Sequence, residues 1–489
     1  MRITSFLPLF IALSASLSCG EPETKAPPLG MPPPPKPVIF QPTGCNFKVS
    51  SRLDYLAYEV GKTESLPNPN IRRVRLGLGG HVSPGLPGRA DPATSAAFAW
   101  QTDDGTLVSE VQWGTEADPS MWPAGNRLNG ATWLTPPGLL NPNGDARMHE
   151  AYVCGLKPAT TYYYRVGGGA PGQESWSDVY SFTTTPNDPN AKIKVGLTGD
   201  SRGQDNQAYR LIQKRFAGAG LTFQLFSGDM INFAPDQKEW EEWLDLAWKD
   251  ENGALLTLGS LLNLQTHGNH ENYTTLFFGN LVLPQDPDAY PESAELFYSV
   301  DIGPVHFVVV DDLSIAYPTG NEARAAELTK WIRADLEAAN KNRAVVPWIV
   351  TMHHHSDFSS SSHGADADVL RVRSFFVPLW DEFKVDLNVA GHDHNYERTK
   401  AITGPAENPV VQTMPGQGTV YVVCAGAGAD AYGNGTSAFT EMSRSYDATM
   451  GSLGFYSMME IDKSSLKFDA YELRADGTDP VVDTFTLTK

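Results

Sequence analysis

Five short segments constrain this chain more than any other feature. Each ends an apolar run in a glycine-bearing or polar turn that carries a carboxylate, an amide or an imidazole. They are 197–203 (LTGDSRG), 226–232 (FSGDMIN), 266–271 (THGNHE), 350–355 (VTMHHH) and 389–398 (VAGHDHNYER). Taken singly, each is ordinary. A Gly-Asp after a strand is most often a turn closed by an Asx hydrogen bond, and a lone histidine is most often a satisfied polar group. Taken together they point to a sheet whose strand ends share one crevice, since ligands of α/β sheets bind there. On an extended strand His392 and His394 fall on one side, and Gly391 before them lets backbone crowd a ligand. Nine of the eleven histidines lie between His267 and His394, which concentrates the chemistry in one half of the chain.

The surrounding pattern supports such a domain. Apolar strands recur at 195–197, 223–226, 305–310, 348–352 and 385–390, and helical spacing at 207–217, 237–248 and 322–340. This alternation predicts an α/β layered fold. Residues from 418 onward read mostly as strand and complete the sheets. Upstream, from about 70 to 185, short alternating runs separated by turns predict a small antiparallel sandwich. The segment 183–192 (TTTPNDPNAK) reads as a linker.

The N-terminus reads as an address. Arg2 precedes an apolar stretch, 3–17, that is shorter than the roughly 20 residues a transmembrane helix needs and ends in small residues, as an export signal does. Cys19 just after it resembles the lipobox of bacterial lipoproteins, which implies lipidation at Cys19; otherwise an ordinary signal is cut nearby. The proline-rich stretch that follows reads as an extended spacer. In an oxidising compartment Cys45 and Cys154 could pair, while Cys424 inside YVVCAGAG reads as a small buried hydrophobe.

Charge narrows the partners. The chain has 37 basic and 57 acidic residues, a net charge of −20. Nucleic acid is therefore excluded as a specific partner, and an anionic substrate must be met by a local cationic centre. Carboxylate plus imidazole without thiolate suits Zn, Mn and Fe. Two ions held about 3.5–4 Å apart need one bridging carboxylate and several terminal ligands, and an asparagine adds a neutral carbonyl oxygen.

In this order the five segments resemble the calcineurin-like metallophosphoesterases, and with a fibronectin type III-like module in front the chain resembles the purple acid phosphatases. GNHE at 268–271, GHDHNYER at 391–398, EWEEWL at 239–244, YSVDIGPVHFVVVDD at 298–312 and PWIVTMHH at 347–354 carry the likeness. It implies an α/β fold class: an N-terminal all-β fibronectin-like sandwich, then a four-layer αββα metallophosphoesterase domain. The expected division is signal peptide 1–18, proline-rich linker 19–43, fibronectin-like domain 44–187 and metallophosphoesterase domain 188–489. The resemblance implies two metal ions per chain, Fe with Zn or Mn. Asp229 would bridge them, with Asp200 and His394 on the first and Asn269, His353 and His392 on the second. His270 and His363 would face the substrate as catalytic groups. His354 is, with Arg202 and Asn232, a candidate substrate contact or fourth ligand; otherwise His354 and His355 would be outer-sphere or solvent-facing, and Glu271, Asp393 and Tyr396 are either supports of the ligand imidazoles or loop packing.

Two positions depart from the family pattern. Asn232 stands where purple acid phosphatases carry the iron-binding tyrosine, so a protein that is not purple is expected. Arg202 stands where the family has glycine or histidine. The fourth ligand of the first metal could be Asn232 or water, and Arg202 could neutralise a substrate oxygen. The expected function is an exported phosphomonoesterase acting on a small phosphorylated substrate, lipid-anchored at the periplasm or cell surface, or else secreted. Its membrane contact would be through the N-terminal lipid. A phosphodiesterase or nucleotidase is the alternative with the same site, and a non-catalytic surface binding protein the alternative of another class. The sequence leaves the oligomeric state open.

Overall fold

The short runs upstream of residue 185 close into two five-stranded antiparallel sheets. One has the order Glu59–Val60, Ala131–Leu134, Arg147–Cys154, Ser95–Thr102, Arg72–Gly77. The other runs Ser175–Trp176, Thr161–Gly168, Glu110–Gly114, Arg127–Asn129, with Tyr180–Thr183 also on Thr161–Gly168. Alternate residues of both sheets, among them Phe98, Trp100, Val111, Tyr164 and Phe182, meet in one core, as a sandwich requires. This computed structural model describes residues 38–50, 58–135, 146–202, 206–414 and 416–489. The signal segment, Cys19 and the spacer up to residue 37 lie outside the described residues. Within the stretch read as linker, Ile39–Phe40 already pairs with Val49–Ser50. Cys45 and Cys154 form a disulfide with their Cα atoms 5.4 Å apart, so this hairpin is fastened to the sandwich strand Arg147–Cys154.

From Ile193 onward two larger sheets face each other. The first has the order Asn263–Gln265, Phe223–Phe226, Ile193–Thr198, Ser452–Ile461, Ser465–Arg474, Val481–Thr488. Its first three strands are parallel and the last three antiparallel. The second runs Phe297–Ile302, Val305–Val310, Trp348–Met352, Leu387–Ala390, Val420–Cys424, Tyr396–Thr399, Thr440–Arg444, with four parallel strands in its middle. These central strands are buried on both faces, which is why they read as unbroken apolar runs. Phe223 of one sheet meets Phe307 of the other edge to face at 5.0 Å. Cys424 is a free, buried thiol between the sheets, 3.1 Å from Ser457 Oγ.

Helices cover the outer faces. Gln207–Gly218 and Gln237–Trp248 lie on the first sheet, where Tyr209 stacks on Trp243 and touches Phe226, and Phe216 touches Tyr456. Both begin at side-chain caps, Asn206 on the Tyr209 N–H and Asp236 on the Lys238 N–H, the arrangement that satisfies the free donors of a first turn. Glu322–Lys341 lies on the second sheet through Trp331 against Phe297. A further helix, Ala367–Phe383, which the sequence reading did not place, packs Phe376 and Trp380 on His353. The sandwich is docked by Arg73, which bonds Asp245 at 2.9 and 2.8 Å, and by Tyr164, whose hydroxyl donates to Gly259 O at 2.7 Å. Among the described residues no helix is long and apolar enough to cross a membrane.

Candidate metal centre

The carboxyl ends of Ile193–Thr198, Phe223–Phe226 and Asn263–Gln265 in one sheet, and of Trp348–Met352 and Leu387–Ala390 in the other, deliver all five segments to one place. The turns that do so are tight. Asp200, Asp229 and His392 all have left-handed backbones, φ 56°, 54° and 71°, a strained conformation for such residues that persists where surrounding structure enforces it. The adjacent glycines are required by contact: a Cβ on Gly268 would lie 2.3 Å from Asp229 Oδ1, and one on Gly391 would lie 2.3 Å from Asp200 Oδ2.

Two donor sets result, and Asp229 belongs to both. In one, His354 Nε2 lies 3.0 Å and His392 Nδ1 3.1 Å from Asn269 Oδ1, and His354 Nε2 lies 3.3 Å from Asp229 Oδ1. The second ring nitrogen of His354 donates to Ser227 O at 2.7 Å, which turns its Nε2 lone pair into the cluster. In the other set, His394 Nε2 lies 3.6 Å from Asp200 Oδ1, while its Nδ1 donates to Asp430 O at 2.6 Å. Asp200 Oδ2 and His394 Nε2 are buried and have no hydrogen-bond partner. Buried polar atoms are nearly always satisfied, so this pair is suited to a cation. Asp200, Asp229 and His354 by themselves bring three donor atoms within 4.8 Å of one another.

Electrostatics follow the same layout. Burial alone would raise the Asp229 carboxyl, but His354, His270 and Arg202 outweigh it and hold it well below the usual carboxylate range. Burial, and then Arg202, push the His394 imidazole down to about 3, so it offers a neutral lone pair. Burial lowers His354, yet Asp229 and Asp200 overcome it and raise it to about 10. A bound cation would take the place of that proton.

His353 corrects the expected ligand set. Its Nδ1 lies 3.2 Å from Asp312 and its Nε2 3.2 Å from Asp357, so both ring nitrogens are engaged away from the cluster. Beyond Met352 the His353 N–H still bonds Val389 O, and the chain then bends at His354 and His355. The two rings part there: His353 packs on the helix Ala367–Phe383, and His354 reaches Asn269 and Asp229. His355 is buried, not solvent-facing; Asp312 holds its backbone N–H at 2.5 Å and its Nδ1 at 3.1 Å. Asn232 is exposed, and its backbone carbonyl accepts from His270 Nδ1 at 2.7 Å.

The remaining residues ring the cluster. His270 is partly exposed, with Nε2 4.0 Å from Asp229 Oδ2. His363 is held by Asp366 at 2.8 Å and by Asp393, which accepts its backbone N–H, and its ring lies 4.7 Å from that of His392. Arg202 forks onto Asp229 Oδ2. Tyr396 bonds Asp483 at 2.8 Å, which is packing and not support of the cluster. The sequence reading missed Tyr432, which stacks on His394 at 4.1 Å and whose hydroxyl meets Arg202. A cavity of about 830 Å³ opens on this side, lined by Arg202, Tyr432, Tyr446, Asp430 and Asp447 among others.

Residues 86–184 match the family model of the purple acid phosphatase N-terminal domain, and residues 193–396 match that of the calcineurin-like phosphoesterases. The chain belongs to the calcineurin-like phosphoesterases of the purple acid phosphatase type. It is 25% identical over 331 residues to an uncharacterised protein of Mycobacterium tuberculosis, an alignment covering 58% of this chain and 59% of that one. It is 24% identical over 369 residues to acid phosphatase type 7 of Danio rerio, covering 70% and 77%. Among solved structures it resembles a purple acid phosphatase from yellow lupin seeds, with TM-score 0.64, 18% identity and coverage of 86% and 74%. That likeness speaks for the fold. The family is dinuclear and metal-dependent, and two carboxylates, three imidazoles and an amide are a donor set that fits borderline divalent or trivalent ions.

Proposed function

We propose that this protein is an exported metal-dependent phosphatase that hydrolyses small phosphomonoesters. The observation that carries the reading is the convergence of Asp200, Asp229, Asn269, His354, His392 and His394 at the ends of five strands, with Asp200 Oδ2 and His394 Nε2 buried and without a partner. Asp229 would be shared by two ions, Asp200 and His394 would complete one position, and Asn269, His354 and His392 the other, Fe with Zn or Mn being suited to these donors. Such ions, when bound, supply Lewis-acid charge for the phosphate oxygens and an activated water at neutral pH.

The chain itself does the rest. Glu271, Ser227 O and Asp430 O fix the donors so that little reorganisation is needed on binding. His270, steadied by the Asn232 carbonyl, and His363, steadied by Asp366, sit at the rim where a leaving oxygen needs a proton. A disulfide between Cys45 and Cys154 is the kind of bond that persists outside the cytosol, which supports export, with Cys19 as the lipid-bearing residue.

The test is hydrolysis of p-nitrophenyl phosphate beside its bis ester, by protein starting after Cys19, stripped and refilled in turn with Fe, Mn or Zn. Asp229→Asn serves as the blank. Turnover of the monoester above the blank is the expected result. Turnover of the diester alone would make the protein a phosphodiesterase, and turnover of neither ester with any metal would leave a binding protein.

A further inference from the structure

Arg202 occupies an unusual place for a side chain with no acceptor atom. Its Nε and Nη2 lie 3.0 and 2.9 Å from the same oxygen, Asp229 Oδ2, and it also meets the Tyr432 hydroxyl. Asp229 is fully buried, and Arg202 keeps only 18% of its side-chain exposure. The guanidinium is always charged and cannot be a ligand. It therefore competes for the carboxylate that an ion held with Asp200 would share, since donor atoms of Asp200 and Asp229 lie within 4.8 Å of each other, and it sets a positive charge beside any ion there. The set around Asn269, His354 and His392 meets Asp229 through the opposite oxygen, Oδ1, which no cationic guanidinium touches.

We propose that Arg202 makes the two cation positions unequal: Asn269, His354, His392 and Asp229 take the first divalent ion, and Asp200 and His394, sharing Asp229, take a second one weakly, in competition with the guanidinium. This inference rests on the metal-hydrolase reading above. Arg202 is on this view a residue that sets metal stoichiometry, acting through Asp229.

The experiment is a titration of stripped full-length protein with Mn²⁺, and separately Zn²⁺, read by equilibrium dialysis with elemental analysis and by calorimetry. The wild type should bind one ion tightly and a second roughly tenfold or more weaker, and Arg202→Gly should tighten the second by a similar factor while the first stays put. Residue 202 has a left-handed backbone, φ 39°, which glycine adopts freely, so this variant adds no backbone strain; Arg202→Met, which keeps the bulk, is the second variant and should behave alike, and both are titrated once a thermal melt shows them folded. Two ions of equal affinity in the wild type, or a second affinity unmoved in both variants, overturns the inference and leaves the hydrolase reading standing. Failure of the wild type to bind either metal overturns both.

Discussion

Glu271 accepts the backbone N–H of Asp229 at 3.0 Å, and with the same carboxylate it accepts those of Gly268 at 2.8 Å and Met230 at 2.8 Å. One fully buried side chain thus ties two strand-end turns together directly beneath the shared carboxylate. Glu271→Gln keeps the shape but turns an amide N–H₂ toward a backbone donor. The expected loss is about 1–3 kcal/mol of stability for a donor left unsatisfied. Metal affinity should fall about 10–100-fold, as it does when a support of a metal ligand is removed. Urea unfolding and metal titration of the variant check both numbers, and unchanged metal affinity would show that Asp229 holds its turn without Glu271.

His353 and His354 should give opposite phenotypes. His354→Ala removes a donor of the cluster, so metal content should drop while the fold survives. His353→Ala removes the partner that stands between buried Asp312 and Asp357. Leaving buried carboxylates short of a partner costs about 3–5 kcal/mol, so this variant should be markedly less stable yet keep its metal whenever it is folded. Elemental analysis alongside thermal melting separates the two. If His353→Ala lost metal and kept its melting point, the placement of the two rings would be reversed.

That pair also marks where the sequence was legible. Strand ends that carry Gly-Asp or His-x-His are local signals, and His392 and His394 do reach the cluster, but from the bends between Leu387–Ala390 and Tyr396–Thr399, with His392 left-handed, and not by a period of two along a strand. Three consecutive histidines at 353–355 carry no phase of their own. Which one turns inward depends on the register of Trp348–Met352 against Leu387–Ala390, a relation between segments and not within one. Tyr432 and Asp312 were invisible for a similar reason: each reaches its histidine across dozens of residues of chain. The helix Ala367–Phe383 was hidden by Pro378 and by the serine run before it, features that read locally as loop. The sheets of both domains were legible because their apolar runs are continuous or strictly alternating.

Away from the metal centre, His306 sets a pH dependence of stability. Its two nitrogens lie 2.6 Å from Asp301 and 2.8 Å from Asp335, and Arg89 of the sandwich reaches the same carboxylates at 3.6 Å. Burial lowers this imidazole, but Asp335 and Asp301 outweigh it and raise it from 6.5 to about 9. A raised histidine contributes its stability in full below the unfolded value and loses it as pH climbs through the folded one. The window is therefore pH 6.5 to about 9, and the contribution is of the order of 3 kcal/mol. Urea midpoints should fall across that window in the wild type, and His306→Gln should be weaker at pH 6 and flatten the slope. An equal slope in the variant would place the titrating group elsewhere.

The disulfide ties local packing to compartment. Cys45 is buried at 2% exposure, and the hairpin it anchors packs Phe40 and Phe47 against Tyr152. Phe47 and Val49 of the hairpin share a buried cluster with Ala97, Ala99 and Tyr152 of the sandwich, and the cross-link spans a sequence separation of 109 residues. Removing a native disulfide that closes a long loop costs about 2–5 kcal/mol. Cys45→Ser combined with Cys154→Ser should lower the thermal midpoint by that equivalent, and reductant should lower the wild type equally while leaving the variant unmoved. The metal centre, built on other strands, should keep its metal affinity in both. Protein recovered from an oxidising compartment and unfolded without reductant should expose Cys424 as a free thiol and keep Cys45 and Cys154 unreactive. If all three react, the bond does not form there, and the stability of the hairpin must come from its aromatic packing alone.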